Sequence, residues 1–190
     1  MTTAAKRKLP KRVTGRVLQQ MGISMLPFYR RIASSFAFAS QWTTALRTSD
    51  LILIGKLLNR LPKSSRTDDF SIDPLSYLLT FPFKPPVNYY SSGLMVDRQV
   101  GAFFQTSVHR SISRSLIPFY RKLATCLPYA EALAVAIRSN DLQQINRLVR
   151  RLVTTKELKE MSRGQDGVIL VFQPKGSKFP YEHLLMRELR

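Results

Sequence analysis

The chain has 190 residues, with 30 Lys and Arg against 12 Asp and Glu, which gives a formal net charge of +18. Hydrophobic residues make up 44% of it, so it can build a packed core and is not a disordered tail. A charge excess of this size indicates a polyanionic partner. The single cysteine, Cys126, excludes an intramolecular disulfide. No apolar run approaches the roughly 18 residues of a membrane span, so no transmembrane segment is expected.

Residues 1–12 form a basic arm that we expect to be disordered. The arm contains no acidic residue, and its basic residues are Lys6, Arg7, Lys8, Lys11 and Arg12. Such a cluster is typical of a phosphate-binding arm and of a nuclear-localisation signal. An acid-free N-terminus rich in Arg and Ser is also typical of an organelle transit peptide. The sequence leaves these three interpretations open.

An internal repeat occupies most of the remaining chain. Residues 24–61 align without a gap with residues 115–152, at an offset of 91, and 15 of the 38 aligned pairs are identical. Sparser matches at the same offset continue on both sides of this block. We therefore predict two homologous helical modules. Their expected boundaries are 13–92 and 104–190, with a linker at 93–103.

Each module is predicted to contain about three helices. Both copies of Pro-Phe-Tyr-Arg, at 27–30 and 118–121, are typical of a helix start, since proline suits the first turn. A Ser-Asp or Asn-Asp pair with side chains suited to an N-cap stands at the start of the third helix of each module, Ser49-Asp50 or Asn140-Asp141. The second and third helices are expected at 40–47, 50–61, 129–138 and 141–153.

The third helix of the first module is the more apolar copy. It has Ile52 and Leu53 where the second module has Gln143 and Gln144. This difference predicts that the helix is the more buried of the two, or that it forms the contact between the modules.

One short strand-like segment is predicted in each module, at 78–83 and at 168–172. Prolines at 82, 85 and 86 confine the first segment to a sheet edge or an extended loop. We expect the chain to end in a short helix at 181–190. The predicted fold class is therefore mainly α, with two tandem helical modules of about three helices each, one strand-like segment per module and the basic arm.

Part of the second module is similar to the helix pair of an ankyrin repeat. The matching residues are Ala132-Leu133, Ala136-Ile137, Asp141-Leu142, Ile145 and Leu148-Val149. The chain departs from that family because it lacks the Thr-Pro-Leu-His start and the Gly-containing turn, and because the period is 91 rather than about 33. The resemblance implies a compact helical hairpin in each module.

Five positions are basic in both modules: Arg30 with Arg121, Arg31 with Lys122, Arg47 with Arg138, Lys56 with Arg147, and Arg60 with Arg151. Helix surfaces usually balance such charges with Glu and Asp, so this set favours phosphate binding over an ordinary solvated face. The candidate nucleic-acid-binding residues are these ten together with Lys6, Arg7, Lys8, Lys11, Arg12, Arg16 and Arg150. Tyr29 and Tyr120 adjoin the paired arginines, and either stack on unpaired bases or pack in the core.

No group of residues has the pattern of an active site. His109 and His183 have no repeat counterparts and no Cys, Asp or Glu neighbours at metal-ligand spacing. No Gly-rich phosphate loop and no GxSxG motif occurs. We therefore predict no catalytic residues, no metal and no cofactor, and a protein that is not an enzyme.

The predicted function is non-enzymatic nucleic-acid binding through phosphates, with RNA favoured over DNA. Such a protein would suit a viral nucleocapsid or coat, where it would self-associate, or a ribosome. It would act inside the cell, in the nucleus, a virion or an organelle ribosome. Two alternatives stay open. One is a helical interaction module for an acidic protein, supported by the apolar residues Ile52, Leu53, Leu57 and Leu58. The other is a peripheral membrane or matrix-type protein on anionic lipids.

Overall fold

The computed structural model describes residues 13–188, which form an α+β fold of six α-helices and one six-stranded antiparallel sheet. The helices are α1 (Gly15–Ser34), α2 (Phe36–Arg47), α3 (Leu51–Leu58), α4 (Thr106–Thr125), α5 (Leu127–Arg138) and α6 (Leu142–Arg150). The strands are β1 (Phe70–Asp73), β2 (Ser76–Pro82), β3 (Tyr89–Val96), β4 (Leu158–Gly164), β5 (Gly167–Phe172) and β6 (Tyr181–Glu188). A short 3-10 helix (Lys63–Ser65) follows α3.

The predicted mainly α fold class is wrong, because 48% of the described residues are helical and 23% lie in strands. Each half contributes three strands, and only β2 and β5 correspond to predicted segments. Residues 181–188 form β6 rather than a helix, because pairing with β3 and β5 satisfies their backbone groups. β2 lies between β1 and β3 and not at an edge. Its proline, Pro82, is the last residue of the strand, where the missing N–H costs little.

The first helix of each half begins earlier than predicted. Pro27 and Pro118 lie inside α1 and α4, each of which is 20 residues long. The turns before Pro27 bury an apolar face that includes Leu18 and Met21, and this burial outweighs the hydrogen bond that the proline removes.

The N-cap predicted within each Ser-Asp or Asn-Asp pair is confirmed, and the second residue of each pair is the cap. Asp50 accepts a hydrogen bond from the Leu53 amide and Asp141 accepts one from the Gln144 amide, each at 2.9 Å. The third helix of the first half is not the more buried copy, because α3 and α6 each bury three residues and Ile52 on α3 is 73% exposed.

The elements recur at the offset of the sequence repeat. α1, α2 and α3 begin 91 residues before α4, α5 and α6, and β2 begins 91 residues before β5. β3 pairs antiparallel with β6, so the strand order is β1-β2-β3-β6-β5-β4. An approximate two-fold axis therefore passes between β3 and β6. β3 continues through Val96, into the 93–103 segment assigned to a linker from the sequence.

The helices cover one face of the sheet, with α1 and α4 antiparallel at the centre. Two hydrogen bonds related by the repeat join this pair: Gln19 Nε2 donates to the Ala124 carbonyl at 3.3 Å, and Arg110 Nη2 donates to the Ala33 carbonyl at 3.0 Å. α5 packs on α1 and α2 packs on α4, so the second helix of each half contacts the first helix of the other.

Aromatic side chains fill the space between the helices and the sheet. Phe28 on α1 makes edge-to-face contacts with Tyr29, Trp42 and Tyr77, at ring-centroid distances of 5.4, 4.8 and 5.6 Å. All four side chains are fully buried. Because the buried residues of both halves form a single cluster, the two halves share one hydrophobic core.

Two glycine-to-alanine substitutions should change stability in opposite directions. A Cβ added at Gly22 would lie 2.5 Å from the Ala124 nitrogen, so Gly22→Ala forces α1 away from α4 and should cost about 1–3 kcal/mol. A Cβ added at Gly55 on α3 would meet nothing within 4 Å, so Gly55→Ala should gain about 0.5–1 kcal/mol of helix propensity. Urea unfolding of both variants measures the difference. A Gly22→Ala protein as stable as the wild type would contradict this packing.

Candidate nucleic-acid interface

Charge is divided unequally between the helices and the strands. The six helices contain twelve Lys and Arg residues and a single acidic residue, Glu131. The six strands contain three basic and four acidic residues. The helical layer therefore has a formal charge of +11, whereas the strands have a formal charge of −1.

Four exposed arginines lie along the central helix pair: Arg16 and Arg30 on α1, with Arg114 and Arg121 on α4. We call them the arginine ridge. Their spacings of 14 and 7 residues place each pair on one side of its helix. Within residues 13–188 none of the four forms a side-chain hydrogen bond or a salt bridge, so their guanidinium groups are free to bind an anion.

Arg114 was not identified from the sequence, because its repeat counterpart is Ile23 and only positions basic in both halves were selected. Its place in the stripe of exposed residues on α4 could have identified it. Arg30 and Arg121 are repeat counterparts, and the approximate two-fold axis relates them.

Eight more predicted residues are exposed on the flanks of the helical layer or just beyond its helices. They are Arg31, Arg47, Lys56, Arg60, Lys122, Arg147, Arg150 and Arg151. Some already make contacts within the chain. Arg60 donates to Gln41 at 3.2 Å and Arg147 donates to Gln144 at 2.9 Å. Arg150 donates to the carbonyl of Lys159 at 2.9 Å, which ties α6 to the edge strand β4.

Arg138 has a different role from its repeat counterpart Arg47. Arg138 is half-buried, and it donates to the Val13 carbonyl at 2.6 Å and to Glu131 at 3.1 Å. Glu131 in turn accepts from the Gly15 amide at 2.7 Å. These bonds attach the start of α1 to α5, so Arg138 is not part of the proposed interface.

The five basic residues predicted on the N-terminal arm lie outside the described residues. They are Lys6, Arg7, Lys8, Lys11 and Arg12.

Two arginines lie over exposed aromatic rings. Arg110 lies over Phe36, with its guanidinium carbon 5.6 Å from the ring centroid, and Arg47 lies over Phe103 at 5.7 Å. Phe36 is 61% exposed and Phe103 is 48% exposed. Exposed aromatic rings beside arginines are typical platforms for unpaired bases. Sequence reasoning missed them because neither phenylalanine is repeated in the other half.

Tyr29 and Tyr120 pack in the core and do not reach the surface. Their rings lie 4.8 Å apart, and both side chains are fully buried. Ser92 Oγ lies 3.2 Å from Tyr29 Oη and 2.7 Å from Tyr120 Oη, and Tyr120 Oη lies 2.8 Å from His183 Nε2. Burial raises the pKa of Tyr29 to about 12. Of the two roles considered for the tyrosines, base stacking is therefore wrong.

The two histidines are buried and neutral. Desolvation lowers the pKa of His109 and of His183 to about 3. His109 Nε2 lies 2.9 Å from the hydroxyl of Tyr77, and neither Nδ1 has a hydrogen-bond partner within residues 13–188. In the described part of the chain, no three or more His, Cys, Asp and Glu side chains form a group that could hold a metal ion.

No known protein family, curated protein or solved structure matches this chain. None of the helices within residues 13–188 combines the length and the apolar character needed to cross a membrane.

Acid should unfold the protein through its buried histidines. The folded pKa of each histidine, about 3, lies below the ordinary value of 6.5, so only the unfolded chain binds these protons between pH 6.5 and 3. The stability present above pH 6.5 is then lost as the pH falls, at up to about 2.7 kcal/mol per pH unit.

The control for this prediction is His183→Asn, which should remove about half of that pH dependence and leave the His109 contribution. Chemical unfolding of both proteins between pH 6.5 and 4.5 measures the two slopes. The same slope in both proteins would show that His183 does not cause the acid sensitivity.

Proposed function

We propose that the protein binds single-stranded nucleic acid, with RNA favoured over DNA, on its helical layer. The observation that carries the proposal is the ratio of twelve basic residues to one acidic residue in the six helices. Such an excess on one face repels itself, and a polyanion would relieve that repulsion while releasing counterions from its phosphates.

The arginine ridge suits a chain of phosphates. The guanidinium group presents a planar fork that binds phosphate oxygens in pairs, and its charge persists at every physiological pH. Arg16 and Arg30 are 14 residues apart on α1, which corresponds to about 21 Å along the helix axis. The ridge is therefore long enough to contact several successive phosphates.

The exposed phenylalanines favour a nucleic acid with unpaired bases over a duplex. Phe36 and Phe103 lie at opposite ends of α2. Phe36 is the first residue of that helix, and Phe103 contacts Arg47, which is its last residue. Bases stacked in a duplex offer no free face to these rings, whereas unpaired bases do.

Removing ridge arginines should weaken the salt dependence of binding. Each phosphate contact on a single strand contributes about −0.7 to the slope of log K against log salt, so Arg30→Ala/Arg121→Ala should reduce the slope by about 1.4. Fluorescence anisotropy with a labelled single-stranded RNA, on nuclease-treated protein at several salt concentrations, measures the slope.

The matched control is Lys159→Ala/Lys175→Ala. It removes the same charge from exposed positions on β4 and between β5 and β6, and it should leave the slope nearly unchanged. An equal loss in both variants would mean that only net charge matters, and the absence of any binding at low salt would refute the proposed function.

Phe36→Ala/Phe103→Ala should weaken binding to single strands by about 1–3 kcal/mol per stacked base and leave duplex binding unchanged. Ile52→Ala, which also removes an exposed apolar side chain, is the control and should bind single strands normally. The affinities of all three proteins for a single strand and for the matching duplex provide the test. Equal effects of the phenylalanine substitutions on both ligands would exclude stacking.

One observation favours a second candidate function, that of a helical module for an acidic protein partner. Leu51 and Ile52 are exposed side by side on α3, beside the basic flank of the layer. If this candidate is correct, Ile52→Asp abolishes binding of the acidic protein partner and leaves the affinity for RNA unchanged.

A further inference from the structure

The face of the sheet opposite the helices carries a second, chemically distinct surface. Tyr77 contacts Trp42 and His183 contacts Tyr120, so the cross-strand row that contains Tyr77 and His183 faces the helices. Side chains alternate along a strand, so the neighbouring rows face away from the helices. One of these rows contains Met95, Glu182, Val171 and Glu160. The other contains Leu78, Leu184 and Ile169. We call them, with the other outward residues of the six strands, the outer sheet face.

The ring contacts between helices and strands in residues 13–188 are made by inward residues such as Tyr77 and His183, which places the helices on the side of the sheet opposite this face. Most of the apolar side chains named above are partly exposed. Five inter-strand spacings and strands of seven or eight residues give a face of roughly 24 by 25 Å. The resulting area of about 600 Å² lies below the roughly 800 Å² per partner of a standard interface and is in the range of weak association.

The charged residues at the paired outward positions of the strands are all acidic: Asp73, Glu160, Glu182 and Glu188. Asp73 is salt-bridged to Arg98, Glu188 accepts hydrogen bonds from Thr80 and Ser91, and Lys159 lies unpaired in the irregular register of β4. Glu160 and Glu182 form no hydrogen bond or salt bridge with any residue of 13–188. Carboxylates set among partly exposed apolar side chains are suited to a partner that combines cations with apolar groups.

We propose that the outer sheet face binds the arginine ridge of a second copy of this chain, so that molecules stack head to tail. Arg30 and Arg121 of the ridge have no intramolecular hydrogen bond or salt bridge within residues 13–188. The exposed apolar residue Ile23 lies between Arg16 and Arg30 on α1. One molecule thus carries both halves of a complementary interface. A repeated head-to-tail contact of this kind builds an open stack rather than a closed dimer.

Two other modes of self-association are disfavoured by the same residues. Packing one outer sheet face against another would bring Glu160 and Glu182 against like charges. Edge-to-edge pairing is opposed by the irregular register between Leu158 and Glu160 in β4 and by the shortness of β1, which has four residues.

Sedimentation velocity on nuclease-treated, full-length protein tests the proposal without nucleic acid, and so independently of the proposed function. The wild type should associate with rising concentration and dissociate with rising salt. Glu160→Lys/Glu182→Lys and Arg30→Glu/Arg121→Glu should each weaken self-association at least about tenfold. Mixing these two variants should restore association, because the reversed sheet face of one then meets the reversed ridge of the other.

Restored association also shows that both variants are folded. The matched control compares Glu182→Lys with Asp68→Lys, which makes the same charge change at an exposed position before β1 and should not weaken association. The proposal is overturned if the wild type stays monomeric at every concentration and salt. It is equally overturned if the mixture of the two variants fails to associate. A third contrary result would be that Glu160→Lys/Glu182→Lys binds the wild type more tightly while Arg30→Glu/Arg121→Glu leaves self-association unchanged.

Discussion

The antiparallel pairing of β3 with β6 is the interaction on which the remaining structure depends. It joins two three-stranded halves into one sheet and places the approximate two-fold axis between them. The same axis relates Tyr29 to Tyr120 and Ser92 to His183, and these four side chains form a buried hydrogen-bonded network between the central helices and the central strands. The hydrogen bonds among these side chains form only when the two halves meet in this way, so they favour this one arrangement, although His183 Nδ1 has no partner within residues 13–188.

This arrangement also separates the charges. Because the helices of both halves cover the same face of the sheet, their basic residues collect on one side of the molecule. The outward positions of the strands carry the acidic residues Asp73, Glu160, Glu182 and Glu188 on the other side. A net charge of +18 is thus not spread evenly, and the face with the greatest self-repulsion is the one with the most to gain from a polyanion.

The local sequence contained enough information to predict part of this structure. The gap-free alignment located the repeat. The predicted Ser-Asp and Asn-Asp pairs contain the caps of the third helices, Asp50 and Asp141, because capping depends on neighbouring residues alone. β2 and β5 were recognised because they are apolar runs. β6 was not, because Glu182, His183 and Arg187 resemble a polar segment until pairing with β3 places alternate residues in the core. Pairing between residues so distant in the chain leaves little local signal.

Only part of the candidate site could be predicted from the sequence. Positions basic in both halves led to Arg30 and Arg121. This criterion could not find Arg114, and it also selected Arg138, which an ion pair with Glu131 holds within the fold. The sequence did not indicate Phe36 and Phe103, because their exposure depends on tertiary packing and neither phenylalanine is repeated in the other half.

The most direct test of the account is ultraviolet crosslinking of the protein to a uridine-rich single-stranded RNA, followed by mass spectrometry of the crosslinked peptides. We predict crosslinks in peptides from α1, α2, α4 and the segment around Phe103. Crosslinks confined to the strands of the outer sheet face, or none above the background of an unrelated basic protein, would contradict the assignment of nucleic-acid binding to the helical layer.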